Sequence, residues 1–135
     1  MTKTIIFCCG CGCDVEAVLV TGAEIYPHRK DLAELPFWRC PTCQNYVGCH
    51  HKTADRTRPL GNIPTQELRD IRQRIHRILD PLWETGMWQR TTLYSHLSKL
   101  IGRRYHTAEL RTIEEATKVY KELVAMKKGN AKRSA

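Results

Sequence analysis

Two Cys-x-x-Cys pairs carry the clearest chemistry in this chain: Cys8 with Cys11, and Cys40 with Cys43. A Cys-x-x-Cys turn, or knuckle, folds back tightly enough to present two sulfurs to one metal. Structural zinc sites take four such ligands in a tetrahedron, at about 2.3 Å from each sulfur. The pairs therefore predict a closed four-thiolate zinc site, although the 28 residues between them exceed the usual spacing.

Each knuckle has its own turn chemistry. Gly12 directly follows the first pair, where the backbone of a tight knuckle often needs a positive φ. In the second pair Pro41 fixes the turn, and Asn45 tolerates a left-handed conformation. These residues predict two tight turns that hold the sulfurs in place.

Three further cysteines, Cys9, Cys13 and Cys49, compete with the four favoured ligands. A pair made of Cys9 and Cys13 has a three-residue gap and lacks the glycine that closes the turn. Cys49 with His50 or His51 makes either a second, weaker site or a substitute ligand, but we favour a small buried thiol. The sequence leaves the roles of these five residues open.

Catalytic metal chemistry is the use that the two histidines and Asp55 suggest, because imidazole and carboxylate suit hydrolytic zinc. A fully thiolate site, however, leaves no open coordination position for water. We therefore expect a protein that is not an enzyme.

The net charge of +8 is concentrated in the C-terminal half. Residues 65–135 hold fifteen Lys/Arg and eight Asp/Glu, whereas residues 1–64 hold seven and six. This footprint favours a polyanionic partner such as nucleic acid, although many helical proteins carry a basic solvated face. The bunched thiols indicate a reducing compartment. With no apparent signal peptide or membrane span, we expect a cytoplasmic protein without a membrane partner.

The elements that must position these groups predict an α+β fold. Residues 1–50 form a small zinc-ribbon-like β unit, with strands at 15–20 and 24–26 and with extended segments 37–39 and 46–48 on either side of the second knuckle. Residues 51–64 are a connecting loop, either a linker or ordered. Residues 65–129 form a three- to four-helix region, and residues 130–135 are a frayed basic tail.

Capping and breaking signals divide the helical region. Thr65 precedes a helix that Asp80-Pro81 is expected to break, and a short turn then ends at Gly86. A second helix starts at Thr91 or Thr92 and closes at Gly102. The third begins with a capping box made by Thr112 and Glu115, and Gly129 follows its end.

Basic residues on the first two helices are the candidate nucleic-acid contacts, since they can neutralise phosphates. Trp83, Trp88 and Tyr94 are mixed with arginines and suit base stacking, but such aromatics more often close a helical core, as we expect for Trp83. The candidate contacts are Arg69, Arg72, Arg74, Arg77, Lys99, Arg103 and Arg104.

Several blocks of the sequence together resemble one family. They are FCCGCG, EIYP, FWRCPTCQNYVGCH, RPLGNIPTQELRDIRQRIHRILDPLW and TTLYSHLSKLIG. The chain resembles the zinc-finger-containing domain proteins of bacteriophages and prophages, whose function is unassigned. The resemblance implies a phage context and a zinc ion held by the four knuckle cysteines. Cys9, Cys13 and Gln44 depart from the pattern of that family.

Two functions fit these features. In the first, the chain is a zinc-binding phage-type accessory or regulatory protein that contacts nucleic acid through a basic helical face. In the second, it is a protein-interaction module or a phage inhibitor that binds a host enzyme or defence complex. In both, we expect the protein in the cytoplasm, which is that of the host cell if the chain is phage-encoded. The target and the oligomeric state are not encoded in any motif of the sequence.

Overall fold

Four strands of the computed structural model, which describes residues 2–134 with side chains to residue 129, form one antiparallel sheet. They are β1 (Lys3–Cys8), β2 (Cys13–Thr21), β3 (Pro36–Arg39) and β4 (Tyr46–Gly48), in the order β1-β2-β3-β4. The sheet belongs to a compact unit of residues 1–66, here the sheet unit, and residues 67–135 form a second, the helical unit. The predicted α+β, zinc-ribbon-like fold is confirmed.

The antiparallel order places both knuckles at the same end of the sheet. Cys8 pairs with Cys13 at the end of β1, so the first knuckle is the turn between β1 and β2. Arg39 pairs with Tyr46, so the second knuckle is the turn between β3 and β4. Because β1 and β3 both run antiparallel to β2, their carboxyl ends point the same way, and the two knuckles that follow bring the four cysteines to one place.

The segment after β2 differs from its prediction. Residues 24–26 were expected to form a strand, but they belong to a single helical turn, α1 (Gly22–Ile25), and its exit. Both edges of β2 are already paired, with β1 and β3. The chain instead turns away at Gly22, whose N–H donates to the Leu35 carbonyl at 2.9 Å. A Cβ at Gly22 would lie 1.7 Å from the Leu32 carbonyl oxygen, so only glycine fits.

The core of the sheet unit is small and includes thiols. Trp38 faces inward from β3 and donates its indole N–H to the Thr57 carbonyl at 2.6 Å. Ile63, from the loop, is fully buried. The buried cluster consists of Ile6, Cys8, Ala17, Trp38, Cys40, Val47, Cys49 and Ile63.

The loop of residues 51–64 is an ordered part of the sheet unit. Ile63 donates its N–H to the Phe7 carbonyl at 2.9 Å and accepts from the Cys9 N–H at 2.8 Å, which attaches the loop to β1. Leu60 donates to the Gly48 carbonyl at 2.9 Å at the other edge of the sheet. Of the two interpretations of this segment, the ordered loop is the one the structure supports.

The helical unit contains α3 (Arg90–Ile101), most of α2 (Gln66–Glu84) and α4 (Ile113–Ser134). The break expected at Asp80-Pro81 is wrong, because α2 continues through Pro81 to Glu84. A proline removes one helical hydrogen bond, but Leu79 and Leu82 are both buried on either side of it. Their burial offsets the lost bond and keeps the helix continuous.

The ends of the later helices follow the predicted caps in part. Gly102 closes α3 with φ +77, as expected, and its N–H donates to the Ser98 carbonyl at 2.9 Å. The Thr112 hydroxyl accepts from the Glu115 N–H at 3.1 Å, which is half of the expected capping box. The expected end at Gly129 is wrong, since α4 continues to Ser134. The basic side chains of the predicted tail, 130–135, lie outside the described residues.

Leucines dominate the interior of the helical unit. Helix α3 packs against α4, and His96 is hydrogen-bonded to Glu122 at 2.9 Å between these two helices. Across residues 2–134, no helix combines the length and apolar character needed to cross a membrane. The fully buried large side chains of the unit are Leu68, Ile75, Leu79, Leu93, Leu97, Tyr105, Leu110, Val119 and Leu123.

Candidate metal centre

The first knuckle is shaped by two glycines. Gly12 has φ +73, as its position predicted, and donates its N–H to the Cys8 carbonyl at 2.8 Å. Gly10 lies inside the knuckle, where a Cβ would come 2.8 Å from the side-chain nitrogen of Asn45 and 3.5 Å from the Cys43 sulfur. A side chain at Gly10 would therefore push against the second knuckle.

The second knuckle has the same turn without a glycine. Gln44 donates its N–H to the Cys40 carbonyl at 2.9 Å, the counterpart of the Gly12 bond. Its φ is +67, which makes it the one non-glycine residue with positive φ in the described part of the chain. The left-handed residue was expected at Asn45 but is Gln44, one residue earlier. The hydrogen bond to the Cys40 carbonyl fixes this position, even though glutamine favours it less than asparagine does.

The two knuckles bring four sulfurs together. The Sγ atoms of Cys8, Cys11, Cys40 and Cys43 all lie within 4.8 Å of one another. The Cys8–Cys43 and Cys11–Cys40 pairs are 3.4 and 3.7 Å apart, too far for a disulfide of about 2.05 Å. A tetrahedron with zinc–sulfur bonds of about 2.3 Å has edges of about 3.8 Å. The arrangement thus fits a tetrahedral metal ion.

Burial and mutual contact hold protons on part of this cluster. Burial raises the pKa of Cys8 well above its usual range, and the hydrogen bond with Cys40 is the main cause that raises the pKa of Cys11 to about 11. Burial also opposes ionisation of Cys40, but the N–H groups of Cys43 and Thr42 outweigh it and lower its pKa to about 7. Cys40 is therefore more readily ionised than Cys8 or Cys11, and a bound cation would stabilise all the thiolates.

The sequence model of the zinc-finger-containing domain matches residues 4–126. The chain belongs to this family. The match spans the sheet unit and most of the helical unit, so the family is defined by both and not by the knuckles alone. No curated protein and no solved structure matches the chain. Membership agrees with the four-cysteine cluster in indicating a metal-binding protein.

The other candidate ligands lie apart from this cluster. In the described residues, the four knuckle cysteines make up the single group of three or more side chains arranged to hold a metal. Cys9 donates to the Asn62 side-chain oxygen at 3.5 Å, and Cys13 is exposed. Cys49 is only 4% exposed, and burial, with a smaller effect of Asp55, raises its pKa to about 11. Cys49 is thus the buried thiol that we favoured.

The two histidines beside Cys49 serve the loop. The His50 N–H donates to the Arg58 carbonyl at 2.8 Å, and the His51 ring nitrogen Nδ1 lies 3.3 Å from the Cys49 carbonyl oxygen. These contacts are local and do not bring either ring to the four sulfurs.

Two of the predicted nucleic-acid contacts have acceptors within the same chain. Arg72 is 8% exposed and donates from its guanidinium to the Leu110 carbonyl at 2.5 Å, so it anchors the chain before α4. Arg103 forms a bidentate ion pair with Glu115, at 2.5 and 2.8 Å, and also donates to the Glu109 carbonyl. Arg72 is therefore not on an exposed face, as the sequence analysis expected, whereas Arg103 stays exposed beside its carboxylate partner. Sequence spacing does not show which arginines find acceptors in the same chain.

The remaining predicted cations are accessible to different degrees. Arg74 and Arg77 are exposed on α2, Lys99 is exposed on α3, and Arg104 is exposed just after that helix. None of these four takes part in an ion pair within residues 2–129. Arg69 is half-buried.

Arg90, which was not among the predicted nucleic-acid contacts, lies between two aromatic rings. The Arg90 guanidinium carbon lies 4.8 Å from the centre of the Trp83 ring and 5.2 Å from that of Tyr94. Trp83 is half-buried and packs against this guanidinium. The signal was present as aromatic residues seven and four positions away from Arg90, but α2 ends and α3 begins between Trp83 and Arg90, so helical spacing alone does not show the contact.

Proposed function

We propose that the chain is a zinc-binding accessory or regulatory protein of phage type that contacts nucleic acid through its helical unit. In this proposal zinc has a structural role and the protein is not an enzyme. Four thiolates complete the tetrahedron and leave no position for a reacting water. The small core of the sheet unit supports the same role, since units of this size often need a metal to fold.

The exposed and unpaired cations of the helical unit carry the nucleic-acid part of the proposal. Arg74 and Arg77 on α2, with Lys99 and Arg104 at and after the end of α3, have no acidic partner among the described ion pairs. Such charges are available to phosphates, and their contacts fix position without reading sequence. The phage context rests on the resemblance of the sequence blocks alone.

Binding to random-sequence DNA across a salt series tests this function. Fluorescence anisotropy with labelled duplex and single-stranded oligonucleotides should show affinity that falls steeply with salt, because bound phosphates release counterions. Arg74→Gln and Arg77→Gln should each weaken binding to every sequence and reduce the salt slope by about one unit. Lys52→Gln, an exposed cation of the sheet unit, is the control of equal charge and should leave the slope unchanged.

The alternative function gives a different result in the same assay. If the zinc-loaded, folded protein binds no oligonucleotide at low salt, the nucleic-acid proposal is wrong. The cations would then suit an acidic protein surface, where exposed charges chiefly alter the association rate. A host protein retained from nuclease-treated lysate, with a rate that falls on Arg74→Gln substitution, would identify the interaction module.

A further inference from the structure

A groove of about 390 Å³ runs along α3. Its position is defined by Trp88, two residues before the helix, and by one face of the helix itself. It is lined by Trp88, Thr91, Thr92, Ser95, His96 and Lys99. Its size falls within the range of small-ligand sites, about 300–1,000 Å³.

The helical spacing places this lining in a row. Thr92, Ser95 and Lys99 are three and four residues apart, so their side chains lie above one another on one face. At a rise of 1.5 Å per residue, Thr92 and Lys99 are about 10 Å apart along the axis. Trp88 therefore stands at one end of the groove and the Lys99 ammonium at the other.

The chemistry of the lining suits one kind of ligand. An indole offers a flat apolar surface, three hydroxyls can donate or accept hydrogen bonds, and an ammonium attracts an anion. No carboxylate lines the groove, and the nearby Glu122 is held by His96 at 2.9 Å. A ligand with an aromatic base at one end and a phosphate at the other uses all of these groups.

We propose that this groove binds two or three nucleotides of single-stranded nucleic acid. An unpaired base stacks on Trp88, and the following phosphates meet the hydroxyl of Ser95 and the ammonium of Lys99. A duplex keeps its bases stacked on one another, so it cannot offer a base face to the indole, whereas a single strand can. This inference rests on the proposed function and names its preferred partner.

The zinc-loaded full chain, labelled oligothymidylate and a duplex of random sequence test the groove. Trp88→Ala should weaken binding of the single strand by roughly five- to a hundredfold, the range that loss of one stacked base gives, and should leave duplex binding unchanged. Lys99→Gln should weaken the single strand more than the duplex. Arg74→Gln, outside the groove, should weaken both equally.

A second variant covers the case in which Trp88→Ala disturbs the fold. Trp88→Phe keeps an aromatic surface, so it should retain most of the affinity for the single strand. It should also remove the quenching of tryptophan fluorescence that stacking of the oligonucleotide produces in the unsubstituted chain.

The outcomes separate the two proposals. Binding of DNA with no loss on Trp88→Ala substitution, or with equal losses for both DNA forms, overturns the groove and leaves the nucleic-acid function intact. If the protein binds neither single-stranded nor duplex DNA, the proposed nucleic-acid function is wrong, and the groove proposal is wrong with it.

Discussion

The sheet unit and the helical unit differ in the side chains that they bury. The largest fully buried side chains of the helical unit are leucines with Tyr105, Ile75 and Val119, whereas in the sheet unit they are Ile63 and the thiols of Cys8 and Cys40. Burial of a leucine side chain stabilises a fold by about 1.5–3 kcal/mol, so several leucines together form a self-sufficient core. The helical unit thus has an apolar core, whereas the core of the sheet unit includes cysteines of a cluster that fits a metal ion.

Removal of the metal should produce the largest difference in stability between the two units. A chelator, or Cys40→Ser, should unfold the sheet unit, because structural zinc contributes an apparent 10–16 kcal/mol, on the order of the whole stability of such a unit. The helical unit should remain folded. Two-dimensional amide NMR measures both units at once and should lose the dispersed signals of β1–β4 alone.

A matched substitution controls for the loss of a thiol. Cys13→Ser changes an exposed cysteine beside the first knuckle, and it should keep one zinc per chain. A Cys40→Ser protein that retained zinc and a protected sheet would show that apolar packing suffices in both units.

The complementary change acts on the helical unit. Leu97 is fully buried on α3, and Leu97→Ala should destabilise that unit by about 2–5 kcal/mol through lost burial and a cavity. Urea unfolding followed by far-ultraviolet circular dichroism measures the loss, while zinc content should stay at one per chain. Lys121→Ala, at an exposed position of α4, should change stability little. Zinc loss in Leu97→Ala would mean that the two units unfold together.

Within the sheet unit, cysteine labelling should distinguish the exposed thiol of Cys13 from the buried thiol of Cys49. Burial raises the pKa of Cys49 to about 11, so at pH 8 only about one Cys49 thiol in a thousand is ionised, and the thiolate is the form that alkylates. Mass spectrometry should find the exposed Cys13 labelled well before Cys49. The labelling rate of Cys49 should rise with pH towards 11.

The same reagent reports the opening of the unit. After chelation, Cys49 should react as fast as Cys13, since its protection depends on burial. Slow labelling of Cys49 in metal-free protein would contradict a sheet unit that depends on the metal.

The smallest effect is expected in the second knuckle. Gln44 holds φ +67, a conformation that costs a residue with a side chain about 1–2 kcal/mol, of which glycine recovers part after its own entropic cost. Gln44→Gly should therefore tighten zinc binding by about two- to fivefold in a chelator competition. Gly12→Ala should weaken it. If Gln44→Gly instead weakens zinc binding, the side chain of Gln44 stabilises the knuckle through the 2.9 Å hydrogen bond from its Nε2 atom to the Pro41 carbonyl.

Local signals in the sequence predicted the parts of the fold that local chemistry determines. The knuckle spacing, Gly12 and Gly102 each act within a few residues, and the structure places them as expected. Strand β1 was not predicted, because its short apolar run becomes a strand only by pairing with β2. The helix break predicted at Pro81 was wrong because the burial of its neighbours is a tertiary effect, which local sequence does not show.

The sequence constrains the basic residues less than it constrains the metal site. Four sulfurs at fixed spacing constrain one another, so the ligand set can be inferred without a fold. A basic residue carries no such constraint. Arg72 and Arg103 look like Arg74 and Arg104 in the sequence, yet the buried Arg72 donates to a carbonyl and the exposed Arg103 pairs with a carboxylate of the same chain.

The loop that ends at Ile63 has a consequence for the behaviour of the protein at high concentration. The same short stretch bonds to β4 through Leu60 and to β1 through Ile63, so it lies across both outer strands of the sheet. Outer strands with free N–H and C=O groups invite pairing with another molecule, and native proteins cover or interrupt them. Pro59, which pairs opposite Cys49, cannot donate to an added strand. A shortened loop would therefore expose backbone groups of both outer strands at once and favour pairing of the sheet with other molecules.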